Sequence, residues 1–355
     1  MSHQFPSMSH RPASLRETPL SIRLGAADPN TMWLLVAAVG VFLLMGALRP
    51  DVFWTAANLG SMARQFPQVG LLALGILLAM LSGGIDLSMV GIANLSAILA
   101  ALVMKRLAGP GASPGEVMLY TALGVAVALL VGALCGMVNG LVIAKVGVSP
   151  ILATLGTMQL FTGIGVIITG ARPVFGMPEL FTNALASSVL GVPVPALVFA
   201  AFAALMAFFL SRTALGTKLY LMGANPVAAR FAGLNTTALQ LWTYTLVGVL
   251  ASCAGLLVLA QTNSAKADYG TSYTLQSILI AVMGGVNPYG GSGKVAGVVL
   301  ALLVLQFLSS GFNILGFSSF LKDLIWGVSL LVVMAFNYLS AQRKLKQKGK
   351  EQGVS

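Results

Sequence analysis

Side chains able to move protons, hold metals or attack a substrate are scarce in this 355-residue chain, and they are scattered. His3 and His10 lie in a polar N-terminal stretch, and Cys135 and Cys253 lie inside apolar runs, so neither a metal-ligand set nor a disulfide framework has support. The acids (Glu17, Asp28, Asp51, Asp86, Glu116, Glu179, Asp268, Asp323 and Glu351) all fall in tails, loops or the ends of apolar runs. An enzyme acting at a membrane surface needs such groups gathered into one constellation, and none is visible. Carriers driven by ion gradients place an ionisable group near the bilayer centre, and none is visible there either.

The apolar runs do contain neutral polarity: Asn94, Asn139, Thr154, Thr157, Gln159, Gln276, Gln306 and Asn313. Amides and hydroxyls can line a path for an uncharged, hydroxyl-rich solute without the desolvation cost of a fixed charge. Each can equally be hydrogen-bonding glue between helices. Asp86, in SGGIDLS, is the one acid flanked closely by apolar runs on both sides. It either caps a helix beginning at Leu87, in a turn opened by Gly83 and Gly84, or acts as a gate at the membrane face. The stretch GVNPYGGSGKV mimics a phosphate loop. That pattern needs Gly, four residues, then Gly-Lys-Ser/Thr, whereas Pro288 stands first and Val295 follows Lys294. Asn287, Pro288 and the glycines read instead as a sharp turn at the membrane surface.

The longest polar interruption late in the chain runs from Arg212 to Thr237. It carries Arg212, Lys218 and Arg230 and no carboxylate. Asn225 as N-cap, Pro226 at the first helical position and Gly233 as terminator predict a helix of about two turns over Pro226 to Ala232. It is too short to be stable alone and too polar for lipid. Val227 and Phe231 share a face with Ala228 beside them, and Arg230 points elsewhere. The helix either docks into a groove on another protein or covers the end of its own bundle.

The elements that position these residues are membrane spans. The chain is 57% hydrophobic and 8% charged with 40 Gly, which excludes an ordinary soluble domain and predicts an all-α, polytopic integral membrane protein of about ten transmembrane helices. Residues 1–30 read as a disordered cytoplasmic arm, 31–340 as the transmembrane domain with a cytoplasmic loop at 212–238, and 341–355 as a basic tail. Arg49 to Pro67 reads as an interfacial segment, and 170–192 as a loop with a short helix. The net charge of +11 is spread between apolar runs and over the last residues. It therefore reads as membrane orientation and contact with anionic lipid rather than nucleic-acid binding. The bias of Lys and Arg places both termini, the 212–238 loop and the Gly-rich turn in the cytoplasm.

SGGIDLS, VSPILATLGTM (148–158), TALGTKLYLMGANPVAARFAGLN, MGGVNPYGGSGKVAG (283–297) and SSGFNILG (309–316) occur in an order and spacing that resemble the ribose-type permeases of bacterial ABC importers for monosaccharides, over residues 60 to 335. The resemblance implies an inner-membrane subunit paired with a second permease copy, usually as a homodimer. It implies docking to a cytoplasmic ATP-binding subunit with two nucleotide-binding domains, which would hold ATP and Mg, and supply by a periplasmic sugar-binding protein. The 212–238 loop would be the coupling segment, with Gly223, Asn225, Ala228, Ala229 and Gly233 matching the family's pattern. Thr274 and Gln276 depart from it, standing where Glu and Asp are common. The expected function is import of a neutral monosaccharide or polyol, with no cofactor and no catalytic residue in this chain. The rival is a self-sufficient sugar carrier or facilitator.

Overall fold

A computed structural model describes residues 29–107 and 112–351; residues 1–28 of the expected N-terminal arm lie outside the described residues, and Pro29 and Asn30 already belong to the first helix. Each apolar run closes its backbone hydrogen bonds within a helix, as hydrocarbon requires. The order is α1 (Pro29–Leu48), α2 (Pro50–Phe53), α3 (Ala56–Leu81), α4 (Met89–Leu107), α5 (Pro114–Leu141), a π-helical turn (Val142–Val146) and α6 (Pro150–Thr169). There follow α7 (Glu179–Ala186), α8 (Val194–Arg212), α9 (Ala214–Ala224), α10 (Pro226–Phe231) and α11 (Thr236–Thr262). The chain ends with α12 (Thr271–Met283), α13 (Val295–Ile314) and α14 (Ser319–Glu351).

Among the described residues, 9 helices are long and apolar enough to cross a bilayer, with α12 a shorter apolar tenth at 13 residues. At 1.5 Å per residue, α12 is about 20 Å long and does not reach across a core of about 30 Å. The loop helix expected within 170–192 is α7. Two-residue strands complete that end: β1 (Val174–Phe175) pairs antiparallel with β4 (Ser264–Ala265), and β2 (Ser188–Val189) pairs with β3 (Val192–Pro193).

The expected interfacial segment over Arg49 to Pro67 is corrected. Only Pro50–Phe53 forms a separate short helix, and α3 starts at Ala56, where the Thr55 hydroxyl accepts the Asn58 N–H at 3.2 Å. Pro67 sits inside α3, tolerated because surrounding helices bury this stretch. Polar residues made the segment look interfacial, but Asn58 meets Ser310 of α13 and Gln68 is buried against Gln261 of α11.

Helix α3 is the axis of the bundle, with every side chain from Leu71 to Leu81 buried. α11, α12, α13 and α8 pack around it, while α4 lies between α5, α11 and α6. The most extensive pairing joins α5 to α11, and small residues make it possible. A Cβ added at Gly248 would stand 2.0 Å from the Gly132 carbonyl oxygen, and one at Gly136 would stand 2.1 Å from that of Tyr244. Gly248→Ala is expected to destabilise the protein by roughly 1–3 kcal/mol by forcing these backbones apart. Gly40→Ala, where an added methyl meets nothing within 4 Å, should stay within about 0.5 kcal/mol. Equilibrium unfolding in detergent micelles reads both.

Candidate functional site

Helices α9 and α10 form an elbow between α8 and α11. Thr213 caps α9, its hydroxyl accepting the Gly216 N–H at 3.1 Å. Asn225 then caps α10 as expected, its Oδ1 accepting the N–H groups of Val227 at 3.1 Å and Ala228 at 2.9 Å. The helix ends at Phe231 rather than Ala232, and Gly233 follows in the left-handed conformation at φ +80°. Ala229 is buried against the bundle, while Ala228 and Arg230 are exposed. Val227 is 63% exposed and Phe231 is 90% exposed. Phe231 is therefore not folded back onto the bundle's own end.

The elbow is locked to the membrane part through backbone. A Cβ on Gly223 would lie 1.8 Å from the Leu81 carbonyl oxygen and 2.6 Å from the Gly291 nitrogen. The Gly291 N–H itself donates to the Leu81 carbonyl at 3.2 Å. The end of α3, the end of α9 and the turn between α12 and α13 thus meet at one point. Asn287 organises that turn: its amide donates to the Gly290 carbonyl at 2.9 Å and its Oδ1 accepts the Tyr289 N–H at 3.1 Å. Pro288 lies half-buried in it, and Tyr289 projects outward, 84% exposed. Tyr220 of α9 adds a brace, its hydroxyl donating to the Gly293 carbonyl at 2.7 Å. Burial pushes the Tyr220 hydroxyl's pKa up, so it remains a neutral donor at physiological pH.

Between α3 and α4, residues 84–88 form an irregular segment. Asp86 is fully buried there, its Oδ1 accepting the Ser88 N–H at 2.8 Å and the Ser88 hydroxyl at 2.7 Å. The expected cap on a helix starting at Leu87 is corrected: α4 starts at Met89, and Asp86 instead closes a side-chain turn onto Ser88. Asn139 of α5 joins it, donating to Asp86 Oδ2 at 3.3 Å and to Ser88 Oγ at 2.7 Å. Thr154 of α6 accepts the Leu87 N–H at 3.1 Å. The Asn139 Oδ1 and the Tyr244 hydroxyl are buried beside this cluster without a partner among the described residues.

The polar residues expected to line a path do not share one cavity. Asn139 bonds Asp86, Thr154 bonds the backbone of Ile85 and Leu87 on either side of it, and Thr157 bonds within its own turn, to the Thr154 carbonyl. Asn94 donates to the carbonyls of Ala267 and Tyr269, at 3.0 and 2.9 Å, tying α4 to the loop before α12. Gln159 is exposed on α6, and Gln276 is half-buried on α12. Gln306 and Asn313 line a separate cleft with Asn58, Ser61, Gln65 and Ser310, at the end opposite the elbow. Sequence reasoning missed Ser88, Tyr244 and the Gln68–Gln261 side-chain pair that links α3 to α11. The spacing of Asn58, Ser61 and Gln65 on one helical face was the readable signal for the cleft. Among the described residues, no group of three or more His, Cys, Asp or Glu could hold a metal ion.

Residues 58–334 match the family described as the branched-chain amino acid transport system / permease component. The autoinducer 2 import system permease protein of Enterobacter sp. (strain 638) is 33% identical over 317 residues, covering 88% of this chain and 93% of the relative. The ribose import permease protein of Escherichia coli (strain K12) is 32% identical over 304 residues, 84% of this chain and 91% of the relative. That of Haemophilus influenzae is 30% identical over 313 residues, 87% and 93%. No solved structure matches. With a family match across almost the whole bundle and these relatives aligned nearly end to end, the chain belongs to the ribose-type permeases of bacterial ABC importers.

Proposed function

We propose that this chain is the inner-membrane permease subunit of an ATP-driven importer for a neutral monosaccharide or polyol, with both termini in the cytoplasm. ATP and Mg would be held by a separate cytoplasmic subunit with two nucleotide-binding domains, a periplasmic sugar-binding protein would deliver the solute, and a second permease copy would complete the path. The observation that carries this reading is the elbow. Helix α10 presents Val227 and Phe231 to solvent on a base fixed by backbone contact to both α3 and the 287–293 turn. An apolar knob on a rigid mount suits mechanical input from a docked partner. The relatives' names support this solute class, since one is a ribose permease and another an autoinducer 2 permease.

A second reading, the self-sufficient carrier, is favoured by one observation: Asp86 is a buried carboxylate. Its hydrogen bonds to Ser88 and Asn139 make it a joint between the 84–88 segment and α5, which is a structural use of the side chain. The two readings separate in proteoliposomes. The chain alone should accumulate no sugar under an imposed voltage or pH gradient, and the chain with its ATPase and binding protein should accumulate it when ATP is supplied. Accumulation by the chain alone would overturn the importer.

Phe231→Asp is expected to weaken ATPase docking by about 2 kcal/mol or more, roughly thirtyfold in affinity, measured by titrating the ATPase onto the permease in nanodiscs. Gly223→Val leaves the knob in place but forces apart the backbones of Leu81, Gly223 and Gly291. Docking should then persist while sugar-stimulated ATP hydrolysis falls.

A further inference from the structure

Two helices present polar faces to each other at the end of the bundle farthest from the elbow. On α3 the face is Asn58, Ser61 and Gln65, and on α13 it is Gln306, Ser310 and Asn313. Both sets follow helical spacing, and together they line a cleft of about 220 Å³. This is below the roughly 300 Å³ at which drug-sized pockets begin, which suits a smaller solute. From Asn313, near the end of α13, to Gln306 the cleft descends two helical turns, about 10 Å into the bundle.

The hydrogen bonds inside the cleft leave a defined remainder. Ser310 Oγ donates to Asn58 Oδ1 at 2.9 Å, and Gln65 donates to Ser61 Oγ at 2.7 Å. Lys322, at the start of α14, donates to Asn313 Oδ1 at 2.5 Å. The Gln306 side chain makes no hydrogen bond among the described residues, and Gln65 Oε1 and Asn313 Nδ2 are likewise left over. Gln306 is half-buried, and Gln65 and Asn313 are exposed, so these amide groups are open to a hydrogen-bonding solute that enters the cleft. The remainder holds both acceptors and donors, as adjacent hydroxyls require, and the lining residues are uncharged, the Lys322 ammonium being held on Asn313 at the mouth.

We infer that this α3–α13 cleft is a binding site for an uncharged polyhydroxylated solute, with Gln306 as its central contact. The inference rests on the proposed function for the class of solute, and the two can fail separately. It places a solute site at the far end of the helix whose other end meets the elbow.

The test uses the full chain with its ATPase in lipid nanodiscs. Gln306→Cys is reacted with a water-soluble maleimide, with Leu331→Cys, on the exposed apolar face of α14, as control. The unsubstituted protein, carrying Cys135 and Cys253, sets the background. Position 306 is expected to react and 331 not to react. Neutral pentoses, hexoses and pentitols, each tested at saturation, should include at least one that slows the 306 reaction threefold or more, while the uronic acids have no effect; about threefold corresponds to one net hydrogen bond. In proteoliposomes with the ATPase and binding protein, Gln306→Leu should raise the KM for uptake by about three- to tenfold with little change in Vmax. Absence of labelling at position 306, labelling that no neutral sugar slows, equal slowing by uronic acids, or an unchanged KM in Gln306→Leu overturns the site. Protection at position 306 without ATP-dependent uptake keeps the site and overturns the proposed function instead.

Discussion

The close approach of three backbones at Gly223 is the constraint on which the rest of the structure depends. The Leu81 carbonyl, the Gly223 Cα and the Gly291 N–H come together with no side chain between them. Side chains at such a point would supply a compliant layer of rotamers that absorbs small displacements. Direct backbone contact does not yield that way, because interiors at this density move as packed units rather than deforming continuously. The elbow of α9 and α10 is therefore part of the membrane bundle mechanically, although it lies outside it chemically.

Helix α3 gives the junction its reach. It extends 26 residues, about 39 Å, from the polar cleft at Asn58 to the junction at Leu81, and its second half is buried on all sides. An element enclosed so fully can shift or tilt only with its neighbours, chiefly α11, α12 and α13. The Gly-rich turn between α12 and α13 belongs to the same unit. Its glycines let two loops touch.

Asp86 shows how an acidic side chain is held within such a bundle. Ser88 and Asn139 supply its hydrogen bonds, and the side chain ties an irregular segment, whose own backbone groups lack helical partners, to α5. Irregular backbone at this depth is tolerated where protein covers it and side chains satisfy it. Thr154 does the same for the Leu87 N–H.

Much of this was legible in the sequence. The apolar runs located the spans, because length and composition alone decide whether a helix suits hydrocarbon. Asn225, Pro226 and Gly233 located α10 to within a residue, because capping chemistry is local. The order of motifs from SGGIDLS to SSGFNILG carried the family. Contacts between residues far apart in the chain were not legible. Nothing near Pro67 in sequence says that other helices will cover it, so α3 was read too short. Nothing near Asn139, Gln306 or Asn94 says which will meet an acid, which will be left unpaired in a cleft and which will hold a loop. An amide's role is set by the partner it faces, and only tertiary packing chooses that partner.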